Sequence, residues 1–270
     1  MTDEIGTLGP AGTYSHRAAL SLGDDLRFYD GVPEIADAVE RGDVNSGVVP
    51  VENSIEGSVN ATLDVLVEYD LYIVGEVVVD VEHALLAHDD GFNVVASHPQ
   101  ALAQCRGYLR DSYPDAELRS VSSTAAGVEE AREDPAVAAI AHPSLADDTV
   151  RVIDDSVQDA DGNSTRFVVL AREPADGGDK TSIVVYPGGD RPGLLYDILG
   201  VFKERGVNLT RIESRPSKRE LGDYVFHIDF EGNRTSGADS HDEGGTDEIL
   251  DALDEHVDWV EFLGSYDRVG

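Results

Sequence analysis

Residues 4–51, EIGTLGPAGTYSHRAALSLGDDLRFYDGVPEIADAVERGDVNSGVVPV, decide the fold class of the first half of the chain. Short apolar and β-branched runs at Glu4 to Leu8, Leu26 to Tyr29 and Ser46 to Val51 read as strands. Between them, apolar residues spaced for a helical face predict helices near 13–22 and 33–41. Strand and helix in regular alternation are βαβ units, so an α/β architecture follows.

The alternation continues outward. A helix is expected near 58–69, an extended stretch over 71–86, a strand at 93–97 and a helix over 99–109. Further strands are expected at 117–121, 136–141, 150–154 and 166–171, with a helix at 123–132. Glu173-Pro-Ala-Asp-Gly-Gly-Asp179 then breaks the pattern with turn-forming residues. This predicts a first domain over 1–172, a linker over 173–180 and a second domain over 181–270. The second domain reads strand (181–186), helix (192–205), strand (208–214), strand (224–230), helix (246–256), strand (259–263), the βαββαβ order of a ferredoxin-like unit. Gly232 to Gly245, rich in Gly, Ser, Asp and Thr, is expected to be an exposed loop.

Composition narrows the function classes. The 270 residues suit about two domains, 41% are hydrophobic, and no run approaches the ~18 uninterrupted apolar residues of a membrane helix. The acidic start Met1-Thr2-Asp3-Glu4 is unlike a signal peptide, and the single Cys105 forms no internal disulfide, so a cytoplasmic chain is expected. Fifty-four acidic against twenty basic residues give a formal net charge of −34, which repels nucleic acid and anionic membranes. Lysine occurs only at 180, 203 and 218, and the acids are dispersed, as in a surface suited to concentrated salt.

Hydroxyl and amide side chains recur where strands give way to helices, in Gly9-Pro-Ala-Gly-Thr-Tyr-Ser15, Glu52-Asn-Ser-Ile-Glu-Gly-Ser58, Ser97-His-Pro-Gln100 and Ser122-Ser-Thr124. Open α/β sheets bind ligands beyond the carboxyl ends of their strands, where helix N-termini favour anions, so a small polyanion is the expected ligand. Each such residue alone also serves as a helix cap. Gly6, Gly9 and Gly12 have the wrong spacing for a dinucleotide fingerprint, and Pro10 removes an N–H from the loop. No P-loop, H-E-x-x-H or C-x-x-C occurs, so no metal or other cofactor is expected. His98 and His142 precede prolines and read as caps, and Cys105 reads as a buried apolar residue.

Six segments in order are similar to motifs of the prephenate dehydratase family: Gly9-Pro-Ala-Gly-Thr-Tyr-Ser15, Val49-Pro-Val-Glu-Asn-Ser54 with Gly57-Ser58, Ser97-His-Pro-Gln-Ala-Leu-Ala-Gln-Cys105, Asn163-Ser-Thr-Arg-Phe167, Asn208-Leu-Thr-Arg-Ile-Glu-Ser-Arg-Pro216 and Tyr224-Val-Phe-His-Ile-Asp-Phe-Glu-Gly232. The last two resemble the family's phenylalanine-responsive ACT domain. Leu194 departs from the Gly-Ala-Leu that commonly follows the proline there. The resemblance implies a two-lobed catalytic domain like a type II periplasmic binding protein, followed by a ferredoxin-like βαββαβ ACT domain. It implies decarboxylating dehydration of prephenate to phenylpyruvate, phenylalanine as effector, and a homodimer or homotetramer paired through ACT domains.

The site residues follow from the same resemblance. Thr165 is the implied donor to the departing hydroxyl, with Glu52, Asn53, Ser97 and Gln104 beside it in catalysis. Thr13, Tyr14, Ser15, Ser54, Gln100, Ser123, Thr124, Arg166 and Phe167 are implied substrate contacts. Strand alternation turns Arg166 away from Thr165, which leaves a structural role equally open for it. Pro192, Gly193, Leu194, Leu195, Asn208, Leu209, Glu213, Ser214, Arg215 and Pro216 are the implied phenylalanine site. Arogenate dehydratase and a non-enzymatic amino-acid sensor are the alternatives.

Overall fold

The computed structural model describes residues 4–160, 162–189, 191–218, 222–232 and 245–269. Its first lobe is built from β1 (Ile5–Leu8), α1 (Tyr14–Leu20), β2 (Leu26–Tyr29), α2 (Val32–Arg41), β3 (Ser46–Asn53), β4 (Gly57–Ser58), α3 (Asn60–Glu68) and β5 (Tyr72–Asp80). The spacing of Ile35, Ala36 and Val39 buries one face of α2 on the sheet, and Gly42 ends the helix at φ +79°, a conformation that favours glycine.

The second lobe holds β6 (Ala84–Ala87), β7 (Val94–Ser97), α4 (Pro99–Gln104), α5 (Arg106–Ser112), β8 (Glu117–Ser120), α6 (Thr124–Glu133), β9 (Val137–Ala141) and β10 (Arg151–Asp154). The chain then returns to the first lobe as β11 (Ser164–Ala171). The first sheet has the order β2-β1-β3-β11-β5, with β4 beside β3, and the second β10-β6-β9-β7-β8. In the first sheet β1 runs parallel to β2 and β3, whereas β11 lies antiparallel between β3 and β5. Two crossings join the lobes, and they bond to one another: Val81 N donates to Asn163 O at 2.8 Å and Val157 N to His83 O at 2.9 Å.

Two expected elements are divided. The extended stretch 71–86 becomes β5 and β6 in different sheets, because Val81 to His83 carry the chain between lobes. The helix over 99–109 is two helices that meet at Cys105, which is fully buried in the core of the second lobe as its composition predicts. Of the expected loop 232–245, residues 233–244 lie outside the described residues.

The C-terminal part comprises β12 (Lys180–Tyr186), α7 (Leu194–Glu204), β13 (Leu209–Pro216), β14 (Tyr224–Glu231), α8 (Thr246–Asp254) and β15 (Trp259–Tyr266), with an antiparallel sheet of order β13-β14-β12-β15. Alternation along β12 splits its side chains. Ile183 and Val185 pack under α7 and α8 with Ile198, Phe202 and Phe230. Val184 and Tyr186 join Val225, Leu263 and Tyr266 in a core shared with Ile35, Leu63, Ile73 and Leu170 of the first lobe. At Gly264, with φ +146°, a Cβ would lie 2.1 Å from Ile73 O, so only glycine admits this approach. Beyond β15 the chain pairs with the edge of β5, where Val269 N donates to Glu76 O at 2.8 Å. The C-terminal sheet and the first lobe therefore fold onto one another. No helix among the described residues is long and apolar enough to cross a membrane.

Candidate active site

A cleft of about 440 Å³ lies between the lobes. Most of its walls come from strand-to-helix junctions that the sequence marks with hydroxyls or amides, and one comes from β11. Thr13, Tyr14 and Ser15 open α1; Asn53 ends β3; Gln100 and Gln104 lie on α4; Ser123 and Thr124 open α6; Thr165 and Phe167 lie on β11. Thr13 and Ser123 also cap their helices, accepting from His16 N and Ala126 N. Cap and cleft wall are thus the same residues.

A chain of hydrogen bonds crosses the cleft floor. Asn53 Oδ1 accepts from the backbone N–H of Ile55 (3.0 Å) and Glu56 (3.1 Å), which fixes the amide so that Nδ2 faces Thr165. Asn53 Nδ2 donates to Thr165 Oγ1 at 3.0 Å and to Asn163 Oδ1 at 2.9 Å. Asn163 Nδ2 in turn donates to Gln104 Oε1 at 3.0 Å, and the same oxygen meets His83 Nε2 at 2.8 Å. Because Gln104 Oε1 only accepts, His83 carries its proton on Nε2. Within this chain of hydrogen bonds two buried atoms are left without a hydrogen-bond partner among the described residues, His83 Nδ1 and Gln104 Nε2. Both belong to residues of the cleft wall.

Electrostatics around this chain favour neutral groups. Burial pushes the His83 imidazole below its usual pKa. Burial, reinforced by the Arg17 charge, takes His142 down to about 4. Tyr14 donates to Glu82 O at 2.5 Å and meets His83 and His142 edge-on, and burial raises its phenol well above the ordinary range. Among the described residues lining the cleft there is no lysine or arginine, and Arg17 stands behind Tyr14, 5.8 Å from its ring centre. Recognition of an anion here falls to hydroxyl, amide and backbone N–H donors.

Four expected site residues stand outside the cleft. Ser97 is fully buried and donates to Ile140 O at 2.5 Å. Ser54 binds the backbone at Gly162 and Ser164. Glu52, one residue from Asn53 and so on the other face of β3, pairs with Arg211 at 2.9 Å. Arg166 also turns away from the cleft, and its guanidinium is held by Glu76 (2.7 Å), Asp229 (2.6 Å) and Tyr266 (2.8 Å). Burial alone would lower the Arg166 pKa, but these acidic neighbours outweigh it and hold the charge firmly. Removing one partner of such a buried pair costs about 3–5 kcal/mol. Of the two readings its position allowed, this orientation matches the one that turns Arg166 away from Thr165.

The residues implied for phenylalanine divide between locations. Gly193, at φ +88°, caps α7; Leu194 is buried in the helix-side core; Pro192, Leu195, Asn208, Ser214 and Pro216 are exposed, and Leu209 is half-buried. Glu213 and Arg215 turn to the first lobe, where they bind Ser58 (2.9 Å) and Asp64 (2.7 Å). Sequence reasoning missed His83 as a cleft residue; Glu56, Ser58 and Ser122 lay in its marked junctions without being singled out, and His98, in another, was read as a cap. His98 does cap, with Nδ1 accepting from Gln100 N at 3.3 Å, while also lining the cleft. No His, Cys, Asp or Glu cluster fit for a metal ion occurs among the described residues.

Comparison with known proteins agrees with these motifs. The prephenate dehydratase family model matches residues 5–175 and the ACT domain model residues 188–257. A prephenate dehydratase of Methanocaldococcus jannaschii is 40% identical over 275 residues, covering 95% of each chain. A prephenate dehydratase from Arthrobacter aurescens, solved in complex with L-Phe, superposes with a TM-score of 0.84 at 33% identity, over 98% of this chain and 90% of that one. GqqA, described as a novel type of quorum quenching acylase, superposes with a TM-score of 0.82 at 28% identity, over 98% of each chain. With its two-lobed, type II periplasmic-binding-like domain and its ACT domain, the chain belongs to the prephenate dehydratase family.

Proposed function

We propose that the chain converts prephenate to phenylpyruvate, with loss of water and carbon dioxide. The observation that carries this reading is the bond from Asn53 Nδ2 to Thr165 Oγ1. It occupies the hydroxyl oxygen as acceptor and leaves the hydroxyl proton free for a group in the cleft. As the bond from the ring to the carboxylate carbon breaks, its electron pair enters the ring and hydroxide departs from the opposite carbon. Aromaticity drives the step, and a donor at the leaving oxygen lowers its barrier. A threonine hydroxyl is a weak acid, so Thr165 acts by a strong hydrogen bond with water as the final proton source. Gln104, Gln100, Thr13, Ser15, Ser123 and Thr124 supply donors for the two carboxylates, while Tyr14 and Phe167 shape the ring pocket.

Regulation by phenylalanine belongs to the same reading, supported by the ACT match and by the relative that holds L-Phe. β13 is the edge strand of its sheet, and a second copy pairing there completes an effector site with Pro192, Gly193, Leu195 and Ser214. The chain divides into a catalytic unit over 1–172, a linker over 173–180 and a regulatory unit over 181–270, and it works in the cytoplasm at high salt, as its charge suggests.

The test is turnover of purified protein with prephenate in molar KCl, followed as phenylpyruvate, with arogenate and an acylated amine as parallel substrates. Phenylpyruvate formation from prephenate supports the assignment. Turnover of arogenate alone, amide hydrolysis alone, or ligand binding without turnover replaces it.

A further inference from the structure

Thr165 and Arg166 are adjacent on β11 but serve opposite faces of the sheet. β11 pairs with β3 through Thr165 to Asn53 and Arg166 to Glu52, and the register shifts immediately after Arg166. The skipped residue is Val51 of β3, and this bulge interrupts the ladder that flanks Thr165 and Arg166, so the aim of the Thr165 hydroxyl leans on what holds its neighbour. All three nitrogens of Arg166 are engaged. Nε donates to Glu76 of the first lobe, Nη1 to Asp229 of β14 and Nη2 to the Tyr266 hydroxyl of β15. The ACT partners are themselves braced, since Ser182 Oγ donates to Asp229 Oδ1 at 2.6 Å and lies 2.6 Å from the Tyr266 hydroxyl. Lys180 Nζ holds both oxygens of Glu76, at 2.8 and 2.7 Å. The guanidinium is thus clamped from two sheets in a dry interface, where small displacements are resisted because few rearrangements keep every donor paired.

We propose that Asp229 and Tyr266 of the ACT sheet are positioning residues for the dehydration, acting on the Thr165 hydroxyl through Arg166. The proposal rests on the assignment of Thr165 as donor to the leaving oxygen. Its consequence is that the regulatory sheet aims the reactive hydroxyl from behind the strand, without touching the cleft. Misplacement of a reacting group by an ångström costs on the order of 10² in rate, so a shift of a few tenths is measurable.

The full-length chain, Tyr266→Phe, Asp229→Asn and a control are compared in molar KCl. The control is Ser265→Ala, in the hydroxyl cluster on the opposite face of the same sheet, 2.7 Å from Thr181 Oγ1. The Thr165 methyl resonance, identified by its absence in Thr165→Ser, is expected to move in Tyr266→Phe and Asp229→Asn and to stay in place in Ser265→Ala. In the first two, kcat falls at least fivefold with KM within twofold; Ser265→Ala keeps kcat within twofold despite a comparable loss of Tm. If Asp229→Asn does not fold, Tyr266→Phe, which loses one oxygen, carries the test. An unmoved methyl resonance in Tyr266→Phe, or an equal displacement in Ser265→Ala, overturns the proposal. Should the wild type fail to turn over prephenate, the functional assignment falls, and the methyl comparison alone still decides the positioning.

Discussion

Ser58, in the wall of the cleft, donates its hydroxyl proton to Glu213 of the ACT sheet at 2.9 Å and accepts from Arg211 Nη2 at the same distance. Arg211 also pairs with Glu52. A strand that carries part of the motif implied in phenylalanine binding therefore holds a residue of the substrate site directly.

Ser58→Ala cuts this connection with little change in volume. A hydrogen bond to a charged group contributes about 1.5–3 kcal/mol, so the loss is readily measured. We expect phenylalanine to bind as before by calorimetry, while its effect on prephenate turnover weakens at least threefold. An unchanged phenylalanine response would leave Ser58 a passive wall residue.

Thr165→Ala is expected to lower kcat by about 10²–10³ with little change in KM, because it removes a donor used chiefly in the transition state. Thr165→Ser keeps the hydroxyl but loses the methyl that restricts its rotamer, and should fall between Ala and wild type. Asn53→Asp sets a carboxylate against Asn163 Oδ1 and Ser164 O, both acceptors, and should lose at least tenfold in kcat and several degrees in Tm. A Thr165→Ala protein with kcat within threefold of wild type ends the assignment.

Acid should destabilise the fold. His83 is pushed down by burial, His142 to about 4 by burial and Arg17, and His227 to about 4 by burial and Arg211. In the unfolded chain these rings take up protons near pH ~6.5. Between pH ~6.5 and 4 the unfolded state binds more protons, so the stability these rings contribute is full above that range and is lost as pH falls through it. Tm in molar KCl is expected to drop by several degrees from pH 7.5 to 5, where most carboxylates remain ionised, and His227→Gln should flatten the drop. A Tm that holds or rises at pH 5 contradicts this.

Salt should act in the opposite direction. At a net charge of −34, self-repulsion opposes compactness, and raising KCl from ~0.1 M to ~1 M shortens the Debye length from about 10 to 3 Å. Exposed pairs such as Arg110 with Asp111 weaken, but the buried clamp on Arg166 is screened much less. Tm should rise in molar KCl; an unchanged Tm excludes the high-salt reading of the surface.

Periodicity made the order of elements legible, because each strand and helix buries one face of its own pattern. Asn53 and Gln104 fell at or just beyond strand-to-helix junctions that the sequence marks, whereas Thr165, inside β11, was singled out only through the resemblance of its Asn163–Phe167 segment to a family motif. What local pattern could not show was direction. Glu52 and Arg166 sit beside cleft residues in sequence but are claimed by Arg211, Asp229 and Tyr266 from more than a hundred positions away or from another sheet. His83 escaped notice because its partner Gln104, which also accepts from Asn163, meets it only where the lobes join.

The two crossings between lobes have a mechanical meaning. His83 and Asn163 each accept a backbone hydrogen bond between the two crossings and are also members of the hydrogen-bond chain that ends at Thr165. Gln104, riding on the second lobe, touches both. The Gln104 to Asn163 contact therefore ties the second lobe to the strand that carries Thr165, and it is the link of the chain that a parting of the lobes is expected to stretch. A crystal of an open form should show the Gln104 to Asn163 contact stretched beyond 3.5 Å; an open cleft that keeps it at 3.0 Å would contradict this.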